Sequence, residues 1–271
     1  MRKQKKTISR RKFLQNGIRL ASAALVGGYT FQRSRLVAWS NPSTPPAVDR
    51  LAVRIAIDSF HNILTRSKHI GNIQVERTGT IRGPEGNRML QSQWGFATHL
   101  ESERNGETKQ ILLDFGGTAE VLFHNYSLLK IDPQNIDALI VSHGHDDHFD
   151  GLIPMLQQHR TSMRKNLSVY IGGEDTLCHR WMRPNQGDAI SYALDRKSLE
   201  AQAVKIIRAP QPTVIAGHAF TTGEIPQVSF EKILPTPLIE IGIRNNGIGC
   251  HSSLVPHSDS STQTVVDDFP G

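Results

Sequence analysis

Cysteine is scarce in this sequence, and the two that occur exclude a disulfide-rich scaffold. Cys178 and Cys250 are the only cysteines among 271 residues, and no Cys-x-x-Cys pair is present. They could form one disulfide in an exported protein, but two cysteines do not make a scaffold. No internal repeat is visible either. The length of the segment 51–271 is sufficient for one domain with a sizeable core.

Acidic residues are missing from the first forty positions, which instead hold ten lysines and arginines. Residues 9–14, Ser-Arg-Arg-Lys-Phe-Leu, match the twin-arginine export pattern, and a mildly apolar run follows at 20–31. That run is shorter than the ~20 apolar residues that a transmembrane anchor needs. We therefore expect residues 1–40 to be a twin-arginine signal peptide, recognised by the twin-arginine export machinery. The expected localisation is periplasmic or extracellular.

The alternative for this basic segment is an arm that binds nucleic acid, and the apolar run argues against it. The whole chain carries 31 basic and 25 acidic side chains, a formal charge of +6. Without the ten leader cations, 21 basic side chains remain against the 25 acidic ones, so the net charge becomes −4. We therefore expect no nucleic-acid partner. A proline-containing linker is expected at 41–50, ahead of the domain at 51–271.

Apolar and turn-forming residues predict strands followed by strand–helix units. Strands are predicted at 51–57, 95–101, 110–113, 137–141, 167–171, 205–209 and 213–215, with a hairpin at 102–109 between the second and third. Helices are predicted at 118–130 and 150–160, and another from Asp175 onward. This order of elements fits a sheet sandwich with helices outside, in the α/β (α+β) class.

The most informative stretch is Ser142-His-Gly-His-Asp-Asp-His148, which directly follows an apolar run. We call residues 142–148 the histidine loop. Imidazole nitrogens and carboxylate oxygens are ligands that zinc, iron and manganese accept. A strand that ends and turns here could aim His143 and His145 to the same side. Asp147 and His148 then fall on the next turn, so the loop predicts two neighbouring half-sites that suit a dinuclear metal centre.

Two less specific interpretations compete with a metal site. Clustered histidines can form a solvated loop, and Asp146, Asp147 and Asp150 could simply cap the N-terminus of a helix. The order of strand, glycine-containing turn and helix favours the metal site over both.

The pattern His-x-His-x-Asp-His after a hydrophobic strand resembles the signature of the metallo-β-lactamase superfamily. Its surroundings resemble one branch, the dihydropterin-ribofuranosylaminobenzene-phosphate synthase-like metal-dependent hydrolases. The similar stretches are Ile111–Gly116, Asn125, Leu128–Pro133, Ser142–Leu152, Gly217–Pro226 and Phe230–Glu231. The resemblance extends from about Leu51 onward and implies an αββα sandwich. It also implies one or two cations, zinc or alternatively iron or manganese, held by His143, His145, Asp147 and His148.

Three further polar residues are candidates for supporting the metal or contacting the substrate. Asp58 ends a predicted strand, where it would line the site or cap a turn. Asp114 would orient the histidine loop by hydrogen-bonding an imidazole, or it would have a purely structural role. His218 would reach the metal cavity, or pack a loop. The residues that could meet an anionic substrate, or else form a charged helix face, are His179, Arg180 and Arg183.

The resemblance further implies a third histidine ligand after another strand, in a Gly-Cys-Ser-His-type segment. Residues 265–271 look like the lead-in to that strand, so we expect a member that is truncated at its C-terminus. The segment Gly249-Cys-His-Ser252 is similar to the missing one with two letters exchanged, which makes His251 an alternative third ligand. Truncation would expose a strand edge, through which a homodimer could form.

The sequence thus predicts a metal-dependent hydrolase that acts on a small molecule through a metal-bound hydroxide. Asp147 would serve as a metal ligand and also steer the nucleophile. Two alternatives remain open: a pterin-type synthase, which is a transferase, and a non-catalytic remnant with an incomplete metal site. Product analysis distinguishes the hydrolase from the synthase, because hydrolysis consumes water whereas condensation joins two organic substrates.

Overall fold

The computed structural model describes residues 44–182 except 63 and 85, together with 190–223, 239–242 and 263–265. The predicted signal peptide at 1–40 lies outside the described residues, as does His251. Export, the cleavage site and a third ligand at His251 therefore stay predictions. Among the helices that the structure describes, none has both the length and the hydropathy that a membrane span requires.

The described chain contains sixteen strands and four α-helices. The strands are β1 (Arg50–Ile57), β2 (Lys68–Ile70), β3 (Ile73–Val75), β4 (Ile81–Gly83), β5 (Gly86–Arg88), β6 (Ala97–Arg104), β7 (Glu107–Leu113), β8 (Ala138–Val141), β9 (Ser168–Ile171), β10 (His179–Met182), β11 (Ile190–Tyr192), β12 (Lys205–Arg208), β13 (Thr213–Ile215), β14 (Ala219–Thr221), β15 (Ile239–Gly242) and β16 (Gln263–Val265). The helices are α1 (Ala119–Leu129), α2 (Asp146–Phe149), α3 (Leu152–His159) and α4 (Arg196–Ala201). Short 3₁₀ turns occupy Pro133–Asn135 and Glu174–Leu177.

A six-stranded mixed sheet forms the centre of the fold, in the order β1-β6-β7-β8-β9-β12. The pairs β1–β6 and β6–β7 are antiparallel, whereas β7–β8, β8–β9 and β9–β12 are parallel. Strands β1, β7, β8, β9 and β12 therefore run in the same direction, and their carboxyl ends lie at one edge of the sheet. A second, four-stranded sheet has the order β11-β10-β15-β16. The mixed α/β class predicted from the sequence is confirmed.

One continuous core packs the helices against the central sheet. From the helices it includes Leu122 and Tyr126 of α1, Met155 and Leu156 of α3, and Leu199 of α4, and from the sheet Leu112, Leu139, Val141, Val169 and Ile171. A smaller cluster of Ile111, Ala138 and Ile215 joins the sheet to the β13–β14 hairpin. These two apolar groups fix the strands whose ends carry the histidine loop.

The hairpin between β6 and β7 is tighter than the sequence predicted. The polar segment 102–109 was expected as its loop, but the strands continue to Arg104 and resume at Glu107. Asn105 and Gly106 alone form the turn, with φ values of 51° and 78°. Asparagine followed by glycine is the favoured pair for a two-residue turn in which both residues have positive φ. The pairing of the two strands therefore continues through polar residues that the sequence assigned to a loop.

Two helix predictions also require correction. The helix expected at 150–160 forms as α3, which begins at Leu152, and Asp150 and Gly151 separate it from an additional short helix, α2, which spans the end of the histidine loop and Phe149. The helix expected from Asp175 is absent from the described residues, where a 3₁₀ turn at Glu174–Leu177 leads into β10. Pairing of β10 with both β11 and β15 outweighs any local helical tendency. Cys178, between the turn and β10, is disulfide-bonded.

The side chain of Asn125 joins α1 to the end of β1. It is fully buried, and its amide donates to the carbonyls of Ala56 at 2.7 Å and Gln91 at 2.9 Å. Its carbonyl accepts from the backbone N–H of Gln91 at 2.9 Å. We expect Asn125→Ala to lower the free energy of unfolding by roughly 2–4 kcal/mol, because three backbone groups, among them the buried carbonyl of Ala56, lose their partner. Chemical denaturation measures this change.

Ser127→Ala is the matched control, since Ser127 lies on the exposed side of α1 and bonds only locally to His124. Its expected effect is within about 0.5 kcal/mol. Equal losses of stability in the two variants would show that the amide of Asn125 does not join helix and strand as inferred.

Candidate metal centre

The histidine loop lies at the carboxyl edge of the central sheet. It follows β8 directly, and Asp114 follows the neighbouring parallel strand β7. Parallel neighbours end at the same edge, so two segments far apart in sequence meet there. The backbone N–H of Asp114 donates to the carbonyl of Ile140 at 3.0 Å, which continues the pairing of the two strands up to the loop.

Asp114 is the buried anchor of this loop. It is 1% exposed and has a left-handed backbone conformation, with φ at 60°. Its Oδ1 accepts from the backbone N–H of Ser142 at 2.8 Å, and its Oδ2 accepts from the hydroxyl of Ser142 at 2.7 Å. The same Oδ2 lies 2.7 Å from Nδ1 of His148. One carboxylate thus holds the first and the last residue of the histidine loop.

These contacts determine which nitrogen of each imidazole carries the proton. A carboxylate only accepts hydrogen bonds, so Nδ1 of His148 is the donor to Asp114. The hydroxyl of Ser142 gives its single proton to Asp114, so it can only accept from Nδ1 of His143, 2.9 Å away. Both imidazoles therefore donate from Nδ1, which leaves the lone pair of Nε2 in each neutral ring free for a ligand bond. Histidines that bind metals characteristically donate their other ring nitrogen to a neighbour in this way.

The three imidazoles form one cluster around His143. The ring centroids of His143 and His148 lie 4.1 Å apart, and those of His143 and His145 lie 4.5 Å apart. Burial, followed by the charges of His148 and His145, lowers the pKa of His143 to about 4. For His148, burial lowers the pKa, but the hydrogen bond and charge of Asp114 outweigh it and the net shift is upward. His143 is thus a neutral ring, whereas His148 shares its proton with a carboxylate.

Negative charge accumulates on the far side of the loop. Oδ2 of Asp147 lies 3.7 Å from Nε2 of His148, so the carboxylate and this ring nitrogen are neighbours. Burial, followed by the charges of Asp146 and Asp147, raises the pKa of Asp150 to about 6. A cation would relieve this repulsion between neighbouring carboxylates. Asp146 and Asp147 also begin α2, where carboxylates are favoured by the helix dipole.

The donor set fits a divalent cation, although the described residues do not complete its coordination. The chemistry fits because neutral imidazoles with fixed tautomers lie beside a carboxylate. Across the ranges that the structure describes, no three histidine, cysteine or acidic side chains are placed so that they could hold one metal ion. The four predicted ligands are brought together, and their role as ligands stays a prediction.

The other candidate residues lie in different surroundings. Asp58 follows β1 at the same edge of the sheet, with an exposed side chain. His218 is buried at the other end, where its Nδ1 lies 3.2 Å from the hydroxyl of Ser102. Ser102 is five residues along β6 from Ala97, which places it about 17 Å from the edge that carries the loop. The contact of His218 packs the β13–β14 turn against β6, and a role for this residue in the metal cavity stays a prediction.

Two residues at the loop were not singled out as site residues from the sequence. Ser142 sets the tautomer of His143, and the only sequence signal was a hydroxyl residue beside a histidine. Gly95 comes from the segment before β6 and passes directly under Asp147, whose backbone carbonyl accepts from the N–H of Phe96 at 3.3 Å. Nothing in the sequence near Gly95 indicates this approach, because the contact spans about fifty residues.

Comparison with known proteins identifies the family of this segment. Residues 101–162 match the family model described as the metallo-beta-lactamase superfamily, and they contain Asp114 and the whole histidine loop. The chain is also similar to the 7,8-dihydropterin-6-methyl-4-(beta-D-ribofuranosyl)-aminobenzene-5'-phosphate synthase of Methanocaldococcus jannaschii. The two are 40% identical over 72 residues, which is 27% of this chain and 24% of that enzyme. The chain thus spans about a quarter of the length of this curated relative.

Solved structures with partial similarity include members of the same superfamily. A B3 metallo-beta-lactamase with an active-site glutamic acid is 14% identical, with a TM-score of 0.31, over 46% of this chain and 44% of that one. A diphosphatase of the PhnP family is 17% identical, with a TM-score of 0.26, over 44% of this chain and 39% of that one. Each is matched over less than half of its length. The segment that carries the histidine loop, residues 101–162, therefore matches the metallo-beta-lactamase superfamily.

Proposed function

We propose that this protein is a metal-dependent hydrolase of a small molecule, with its reaction centre at the histidine loop. The observation that carries the proposal is the arrangement around Asp114 and Ser142, which fixes His143 and His148 with Nε2 free. Histidines that bind a metal characteristically have their other ring nitrogen held by such a partner. The superfamily also contains many metal-dependent hydrolases, which agrees with this assignment.

The proposed ligands are His143, His145, Asp147 and His148, and the proposed metal is zinc, with iron or manganese as alternatives. When bound, such a cation supplies Lewis acidity that activates water and polarises the bond to be cleaved. Asp114 holds the proton on Nδ1 of His148 and keeps that ring in place. Asp147 lies beside Nε2 of His148, where its carboxylate can accept a proton from the attacking water.

The test is the metal content and metal affinity of the full chain, compared with a His143→Ala, His145→Ala double variant. We expect one or two ions per chain in the wild type. The double variant should lose more than roughly 100-fold in affinity, because losing a single outer partner of a ligand already costs 10–100-fold. Mass spectrometry of the metal and competition with a chelating dye give the two quantities.

A His69→Ala, His124→Ala double variant is the matched control, since neither histidine lies in the loop and its metal content should equal that of the wild type. Metal binding that is equally weak in wild type and loop variant would refute the proposal. That outcome would favour the remnant with an incomplete metal site.

A synthase activity is the second candidate, and the similarity to the dihydropterin synthase-like enzyme favours it. In that case the same loop would position two organic substrates for condensation. The two activities differ in their products. Mass balance on a reaction with a pterin and a phosphate-bearing partner would show one joined product for a synthase, and separate fragments with oxygen from water for a hydrolase.

A further inference from the structure

Arg180 is a buried cation that lies against the histidine loop. It belongs to β10, opposite Tyr192 of β11, and it is 3% exposed. A Cβ added at Gly144 would overlap its guanidinium group, at 2.5 Å from Cζ and 2.6 Å from Nη2. The guanidinium therefore packs on the backbone of the loop between His143 and His145, in space that only a glycine at 144 leaves open.

The charge of Arg180 is only partly compensated within the described residues, because burial lowers its pKa more than the charge of Asp175 raises it. Its Nη1 donates to the carbonyl of Cys178 at 3.1 Å, while its Nε is buried without a hydrogen-bond partner. Arg196 also has a buried, unpaired Nε, but its guanidinium forms an ion pair with Glu174. Within the described ranges, no aspartate or glutamate forms such a pair with Arg180. Burial consequently lowers the pKa of Arg180.

An unpaired buried charge is costly, and a bound ion is one of the explanations for keeping a buried donor without a partner. The guanidinium group offers a planar set of N–H donors that matches the two oxygens of a carboxylate or phosphate. Lysine would provide charge without this geometry. An anion that accepts from Nε of Arg180 would also lie next to the imidazoles of the loop, because the guanidinium touches Gly144.

We propose that Arg180 binds an oxyanion of the substrate, a carboxylate or a phosphate, beside the histidine loop. The proposal rests on the proposed function for its link to catalysis, and it assigns that function a substrate class, small molecules with an acidic group. Arg180 thus acts as a binding residue, which holds the charged end of the substrate while the reactive bond faces the imidazoles.

The test measures anion binding to the full chain after its metal has been removed with a chelator, so that no anion binds to a metal ion. Inorganic phosphate and acetate are titrated separately by calorimetry into the wild type, Arg180→Gln and Arg180→Lys. We expect phosphate or acetate to bind the wild type and to bind Arg180→Gln at least roughly tenfold more weakly, because a charge-assisted bond is lost. Arg180→Lys should be intermediate. The tighter of the two anions identifies the acidic group.

Arg208→Gln is the matched control, because Arg208 is an exposed arginine of β12 that pairs with Glu174. It should bind anions as the wild type does. Equal affinity in Arg180→Gln and the wild type overturns the proposal, as does a wild type that binds neither anion at millimolar concentrations. If Arg180→Gln does not fold, the Nε–H resonance of Arg180 in the wild type decides. A shift on saturation with phosphate supports binding, and an unmoved resonance overturns it.

Metal content measured on the same preparations separates this proposal from the proposed function. Metal loading without anion binding would overturn the assignment of Arg180 and leave the metal site intact. Anion binding without metal loading would support Arg180 and refute the metal-dependent hydrolase.

Discussion

Gly95→Ala is expected to lower the free energy of unfolding by roughly 3–5 kcal/mol, since it adds backbone strain to a steric clash. Gly95 has φ at 112°, a conformation that side chains with a Cβ rarely adopt. An added Cβ would overlap the carbonyl oxygen of Asp147 and lie 2.9 Å from its carbonyl carbon. Those atoms are backbone, fixed by the start of α2, and cannot rotate away. Because Asp147 is displaced, metal affinity should fall together with stability.

Gly106→Ala separates the two contributions. Gly106 also has a positive φ, 78°, but nothing lies within 4 Å of the position where its Cβ would be built. This variant should lose about 1–2 kcal/mol from backbone strain alone and keep its metal affinity. Chemical denaturation and dye competition measure both quantities. Equal losses in the two variants would mean that the loop before β6 does not press against Asp147.

Much of the central sheet could be predicted because its signals are local. Strand β8 is an uninterrupted apolar run between a proline-containing turn and the histidine loop. Helix α1 carries its buried side chains at helical spacing, among them Leu122 and Tyr126. It ends at Lys130, which adopts a left-handed conformation just before the turn at Pro133. Each of these elements is specified within about fifteen residues of sequence.

Strand β10 could not be predicted in the same way. Its residues, His-Arg-Trp-Met, show no alternation of apolar and polar side chains. They form a strand because two partners, β11 and β15, pair with them from elsewhere in the sequence. Pairing between distant segments depends on the whole fold, so no local sequence pattern predicts it.

In the candidate site, too, the residues in local motifs could be predicted, whereas those placed by distant packing could not. The histidine loop is contiguous, so its chemistry was visible in seven residues. Asp114 could be proposed because it directly follows a predicted strand, at 110–113, and its carboxylate suits a hydrogen bond to an imidazole. The position of His218 could not, since its contact with Ser102 depends on where the β13–β14 hairpin packs. Nor could that of Arg180, whose contact with Gly144 requires β10 to be a strand rather than the expected helix.

Asp114→Asn is expected to reduce metal affinity by roughly 10–100-fold, although the two side chains have the same shape. The asparagine oxygen can still accept from the backbone N–H of Ser142. Its NH₂ group, however, would replace the Oδ2 that now faces Nδ1 of His148. Two donors cannot face each other, so His148 would shift its proton to Nε2, and the lone pair proposed to bind the metal would be lost. Competition with a chelating dye measures the change.

Ser142→Ala provides the comparison that isolates the tautomer. It removes the hydroxyl between Asp114 and His143 but leaves the contact of Asp114 with His148. Its metal affinity should therefore fall by less than that of Asp114→Asn. Thermal denaturation without metal is the control for stability. The melting temperature of Asp114→Asn should differ little from that of the wild type, because the bond to the backbone of Ser142 remains. If Asp114→Asn binds metal within twofold of the wild type, His148 does not depend on Asp114 for its tautomer, and the proposed ligand arrangement is wrong.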